Sequence, residues 1–239
     1  MNDHPTADAP VTQHLDGAII TCTVNNTKLR FFVSNPGDAI QSYHCRGAFF
    51  EPDELDIISR HVQPGSVCVD VGANVGNHAL FIDKFLSPRE IILFEVNPEA
   101  IDILTINHLL NRCRSWNMDY IGYALADQFG KMTKQFSPKD NLGATQFASS
   151  PVGEFRCITG DSVMASIPVG FIKIDVEGTE MAVLSGFSET ISRWRPVIFV
   201  ELGTYNLATF TAWLDRHSYR IAEKFERYAG LPNYLIKPV

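Results

Sequence analysis

A chain of 239 residues with 45% hydrophobic and 11% aromatic side chains carries enough apolar material for a full-sized core, which excludes a largely disordered protein. Its formal net charge of -7 argues against nucleic-acid binding by bulk electrostatics. The five cysteines, Cys22, Cys45, Cys68, Cys113 and Cys157, are scattered without a C-x-x-C pair, so neither a disulfide framework nor a zinc site is expected. With no basic-then-apolar leader and no apolar run long enough for a bilayer, the default expectation is a cytoplasmic protein without a membrane partner.

Residues 1–10 have little to bury and predict a frayed terminus, a lid over substrate being the alternative. Residues 18–24 and 28–33, divided by Asn25, Asn26 and Thr27, predict a hairpin. Residues 34–50 show no period but gather Tyr43, His44, Arg46, Phe49 and Phe50, which either shape a substrate pocket or pack on a sheet edge. Residues 51–62 predict a helix, with Pro52 in its first turn and Leu55, Ile58 and Val62 on one face. These signals divide the chain into an N-terminal extension, residues 1–50, and an α/β domain, residues 51–239.

The organising stretch follows. Val67, Cys68, Val69 and Val71 read as a fully buried strand interrupted by Asp70. Gly72-Ala73-Asn74-Val75-Gly76 supplies a sharp turn, and from Asn77 the apolar Leu80, Phe81 and Phe85 recur at helical spacing until Pro88. A second buried strand, residues 91–94, ends in Glu95. This is half of a dinucleotide-type crevice, in which a glycine turn admits a ligand and an acid after the next strand holds ribose hydroxyls. The turn is G-x-N-x-G rather than G-x-G-x-x-G, and Asp70 precedes it. A carboxylate there repels a pyrophosphate but suits a cationic ligand with an amino group, such as S-adenosylmethionine; the alternative is a βαβ turn with no methyl donor.

Beyond Glu95, Asn97 and Pro98 open a helix with Ile101, Leu104 and His108 on successive turns and Asn107 and Asn111 on its polar side. Residues 120–125 predict the third strand of the sheet, where the small Ala124 leaves a slot for an adenine ring or only a tight turn. Residues 130–157 are the least regular, with strand-like fragments at 131–136 and 154–157 around the loop Asn141 to Thr145. Residues 171–174 predict a buried strand that runs into Asp175, followed within six positions by Glu177 and Glu180; residues 196–200 predict another that runs into Glu201. A helix to about His217 and an antiparallel pair, 219–223 and 234–237, joined through 230–233, complete the chain.

The segments VDVGANVGNHALF, FEVNPEA, NLGAT, FIKIDVEGTEMAVLSGF and RPVIFVEL together resemble the FkbM family of S-adenosylmethionine-dependent methyltransferases, over roughly residues 49–202. The resemblance implies an α/β, class I (Rossmann-like) fold with a seven-stranded, mostly parallel sheet, helices on both faces and one antiparallel strand. It also implies O-methylation of small molecules, often sugars or secondary metabolites, with S-adenosylhomocysteine as the second product. By position it puts Asp70, Gly72, Asn74 and Gly76 around the methionine and ribose part of the donor, with Asn77 alongside and Glu95 on the ribose. Val96 stands where the family usually has proline. The KIDVEG run places Asp175, Glu177 and Gly178 at the floor of the cleft.

A hydroxyl acceptor is barely ionised at neutral pH, so either a base or a metal must assist its methylation. The candidate bases are Asp175, Glu177, Glu201, His44 and His78. Alternatively Asp175 and Glu201, at the ends of successive strands, converge on Mg²⁺ with Asn206 or Asn141 adding oxygen ligands. Two rival readings are a non-catalytic donor- or nucleotide-binding module and a nucleotide-dependent oxidoreductase. The expected partner is a small-molecule acceptor, and the oligomeric state stays open, a homodimer among the options.

Overall fold

The structure, a computed structural model, describes residues 15–239; the expected frayed terminus, residues 1–10, lies outside the described residues. The chain enters through a hairpin, β1 (Ala18–Val24) and β2 (Thr27–Val33), whose turn residues Asn25 and Asn26 both take positive φ, as a tight hairpin requires. Two short helices follow, α1 (Gln41–Cys45) and α2 (Pro52–Ser59), the second opened by proline. Two βα steps and a third strand come next: β3 (Val67–Val71), α3 (Asn77–Phe85), β4 (Glu90–Phe94), α4 (Pro98–Asn111) and β5 (Trp116–Asn117). A second sheet intervenes, made of β6 (Tyr123–Leu125), β7 (Gly130–Phe136), β8 (Gln146–Ser149) and β9 (Phe155–Ile158). The chain then returns through α5 (Asp161–Met164), β10 (Val169–Ile174), α6 (Glu180–Gly186), α7 (Ser188–Trp194) and β11 (Val197–Glu201). It ends with α8 (Leu207–His217), β12 (Tyr219–Tyr228) and β13 (Leu231–Pro238).

The main sheet has seven strands in the order β12-β13-β11-β10-β3-β4-β5. From β11 to β5 every neighbouring pair is parallel, and β13 runs antiparallel to both β11 and β12. The chain winds outward from β3 to β5 and then restarts at β10 on the other side of β3, so the carboxyl ends of β3 and β10 lie side by side at the switch point where open α/β sheets bind ligands. Strand alternation sorts the core into two layers. Val69, Val71, Ile172, Ile174 and Val200 pack against Leu184, Phe187 and Phe210 of the helices α6 to α8. Cys68, Ile91, Leu93 and Phe199 pack against Leu55, Ile58, Leu80 and Leu104 on the other face.

Three expectations change. The strand beside β4 is Trp116–Asn117, not residues 120–125; Gly122, at φ 91°, turns the chain away, and Tyr123–Leu125 pairs with β9 in the second sheet. The irregular stretch 130–157 is ordered by antiparallel pairing of β7 with both β8 and β9. The closing strands are longer than expected, leaving only Ala229 and Gly230 between them. Asn107 is also not on a polar face: it is fully buried, accepting from Phe32 N (2.8 Å) and donating to Val75 O (2.9 Å). Asn111 accepts from Arg30 N (2.9 Å) and donates to Arg30 O (2.6 Å), so two amides on α4 satisfy the outer edge of β2 and dock the hairpin. Among the described residues, no helix is long and apolar enough to cross a membrane.

Candidate active site

Where β3 ends, Gly72 and Ala73 both donate to Phe94 O (2.9 and 3.0 Å), tying the turn to β4. Gly72 sits at φ 77°, and a Cβ there would overlap the carbonyl oxygen of Asp175; only glycine lets the two strand ends come this close. Asn74 is left-handed at φ 50°, and its N–H donates to Glu95 Oε2 at 2.8 Å. The other Glu95 oxygen accepts from Val96 N (2.8 Å) and Asn97 N (2.7 Å). Burial raises the Glu95 pKa above the usual carboxylate value, and these three N–H groups oppose that rise.

Over this turn lies a cleft of about 620 Å³. Gly72 and Asn74 form one wall, Glu95, Val96 and Ala124 another, and Thr145 and Phe147 cover it from the second sheet. The glycine turn, the Glu95 carboxylate and the small Ala124 side chain are the kind of lining a nucleoside-like ligand needs. Asn74 Oδ1 is buried here without a hydrogen-bond partner, an acceptor waiting for a donor.

A wider cavity of about 1170 Å³ adjoins it and shares Gly72, Asn74, Asp175 and Glu177. Its wall carries four carboxylates, Glu51, Asp175, Glu177 and Glu201. Asp175, Glu177 and Glu201 each offer an oxygen within 4.8 Å of the others. Burial, then repulsion from Asp175, pushes Glu51 up to about 8 and Glu177 up to about 7. The same two causes push Glu201 up to about 10. Lys173 is the one Lys or Arg among the described lining residues. Its ammonium lies 3.3 Å from Asp70 and 3.3 Å from Asp175, and donates to Gly72 O at 3.2 Å. Burial opposes the Lys173 charge, but Asp70, Asp175 and Glu51 outweigh it and raise the pKa.

The expected site residues separate into groups. Gly72, Asn74, Glu95, Val96, Ala124 and Asp175 line the cleft. Asp70 lines neither space: it is fully buried behind Lys173, where burial raises its pKa. Gly76, at φ 84°, precedes α3 and faces the Trp116 ring, also away from both. Asn77 and His78 line the acidic cavity rather than the cleft, as do Glu201 and Asn141, while Glu177 borders both. Asn77 clamps the backbone of Phe50, accepting from its N (2.9 Å) and donating to its O (3.0 Å). His78 Nε2 lies 3.5 Å from Glu51 Oε2, and burial followed by the Lys173 charge holds its pKa well below the usual value. His44 lines neither space; it stacks on Phe31 at 4.2 Å, bonds Asn77 Oδ1 at 3.1 Å, and burial lowers its pKa to about 4. Asn206 is likewise absent from both walls.

Lys173, Glu51 and Tyr228 also line the acidic cavity and were not expected there. Strand alternation does put Lys173 and Asp175 on one face, two residues apart, which is the signal that was legible for the lysine. Glu51 was read as an ordinary helix start, yet it stands at φ 57°, a left-handed conformation no local residue pattern announces.

Residues 70–221 match the methyltransferase FkbM domain, more than half of the chain. The chain belongs to the FkbM methyltransferase family. Among relatives of this FkbM methyltransferase, the hexuronic acid methyltransferase AglP of Haloferax volcanii is 26% identical over 70% of this chain and 68% of that one. The solved methyltransferase FkbM from Methylobacillus flagellatus superposes with a TM-score of 0.53 at 15% identity, covering 82% of this chain and 52% of that one. A protein from Streptococcus pneumoniae, solved in complex with S-adenosyl-L-methionine, superposes with a TM-score of 0.50 at 12% identity over 79% of this chain and 73% of that one. These two likenesses carry the fold.

Proposed function

We propose that this FkbM methyltransferase moves the methyl group of S-adenosylmethionine to a hydroxyl oxygen of a small molecule, of which a sugar is the favoured class. The carrying observation is the meeting of two spaces at Gly72, Asn74 and Asp175, one built on the glycine turn and Glu95 and the other lined with carboxylates. The sugar class is supported by the relative in Haloferax volcanii, named for a hexuronic acid acceptor.

The cleft fits the donor: the Asn74 carbonyl lacks a partner, Glu95 offers lone pairs beyond its three backbone bonds, and Gly72 leaves the turn open. When bound, S-adenosylmethionine supplies a sulfonium-borne methyl for in-line displacement. The chain's part is to hold the acceptor oxygen in line and take its proton. Asp175 borders both spaces and lies 3.3 Å from the Lys173 ammonium, so we assign it the proton; Glu177, Glu201 and the Glu51–His78 pair complete the wall.

Calorimetry with S-adenosylhomocysteine and methyl transfer from labelled donor test this reading. Asp175→Asn lowers turnover about a hundredfold while donor affinity changes little. Tight NAD binding without S-adenosylhomocysteine binding would overturn it. Activity persists in excess EDTA on this reading; loss reversed by Mg²⁺ would replace the base with a cation held by Asp175, Glu177 and Glu201.

A further inference from the structure

The acidic cavity has a charge pattern that the family name does not account for. Four carboxylates face it, and its one lysine is already committed to Asp70 and Asp175. The neighbouring arginine, Arg227, is engaged by Glu54 and Asp53. An acceptor with a carboxylate would therefore find no free cation to meet it. An acceptor with an ammonium group meets the opposite situation.

Spacing sharpens this. Asp175, Glu177 and Glu201 each bring an oxygen within 4.8 Å of the other two, and an –NH₃⁺ group has three donors for three such acceptors. A second polar group opens on the same cavity: His78 is 7% exposed, and its buried Nε2 makes no hydrogen bond, Glu51 Oε2 standing 3.5 Å away.

We infer that the acceptor of this enzyme is a hydroxylated amine, an amino sugar in the sugar class, with its ammonium seated among Asp175, Glu177 and Glu201. This rests on the methyltransferase reading above and specifies its acceptor. Held by three carboxylates, the amine stays protonated and has no lone pair to attack the donor. The neighbouring hydroxyl oxygen is the nucleophile; it gains the methyl carbon, the carbon–sulfur bond breaks with its electron pair staying on sulfur, and the hydroxyl proton passes to a wall carboxylate.

The test loads the protein with S-adenosylhomocysteine and measures saturation-transfer NMR for three probes. These are methyl 2-amino-2-deoxy-β-D-glucoside, methyl β-D-glucoside and methyl β-D-glucuronide, one ring bearing positive, zero and negative charge. The amino glycoside is expected to bind about tenfold tighter than the neutral ring, and the glucuronide weakest. In a Glu177→Gln, Glu201→Gln double variant that still binds S-adenosylhomocysteine, the preference for the amine collapses. Equal or tighter glucuronide binding, or an order unchanged in the variant, overturns the inference, as does the absence of saturation transfer from all three. One-to-one binding of Mg²⁺ alone that raises the glucuronide signal also overturns it, in favour of a metal. Donor calorimetry on the same sample reports separately whether the methyltransferase reading stands.

Discussion

The cleft proposed for the donor and the acidic cavity share a wall but are assembled differently. One side of the cleft is shaped by backbone: two short runs, 71–74 and 94–97, fold back on one another, and Glu95 fastens the turn through main-chain N–H groups. The cavity is shaped by side chains from separate stretches of the chain, from Glu51 and His78 to Glu201 and Tyr228. A ligand common to a family needs geometry that backbone fixes, whereas a ligand that varies is read by side chains that substitute without disturbing the fold.

Substitutions can break this contrast, the largest effect first. Gly72→Ala drives a methyl group into the Asp175 carbonyl at a positive φ, so both spaces should fail together. Stability should drop by about 3 kcal/mol in urea unfolding, with S-adenosylhomocysteine affinity falling more than a hundredfold. Retained donor binding would show that the strand ends are not the pivot. Glu95→Ala removes an acceptor from three N–H groups and should weaken donor binding by about 1.5 to 3 kcal/mol in calorimetry.

Glu201→Gln acts on the cavity through pH. Its folded pKa, near 10, lies above the ordinary carboxylate value, so the folded state holds a proton that the unfolded chain has released. The associated stability is full below about pH 4.5 and is lost as pH rises toward 10. Between pH 6 and 9 the parent should lose about 1 kcal/mol or more relative to the variant in denaturant melts. Glu51, raised to about 8, contributes in the same direction over the lower part of that window. Smallest is Asn111→Ala, which frees the Arg30 edge of the hairpin: about 1 kcal/mol of stability lost, with donor affinity unchanged.

The same contrast governs what could be read before the fold was seen. The strand, glycine turn and helix around Val71 to Asn77 follow from contiguous residues with strong local preferences, and so does the placement of Glu95, Asp175 and Glu201 at strand ends. Asp70 was expected on the donor, but strand register sets it opposite Lys173, and register is a pairing between distant segments. His44 was one of seven histidines with no local clue to its stacking on Phe31. Residues 120–125 are apolar enough for the main sheet, and it took the turn at Gly122 to divert them.

Asn77 closes the argument about separateness. It is the first residue of α3, just after the glycine turn, yet its amide grips the main chain of Phe50, the residue before Glu51. The start of α3 is thus bonded to the segment that carries Glu51 into the acidic cavity, so the glycine turn and that cavity wall are held by one amide.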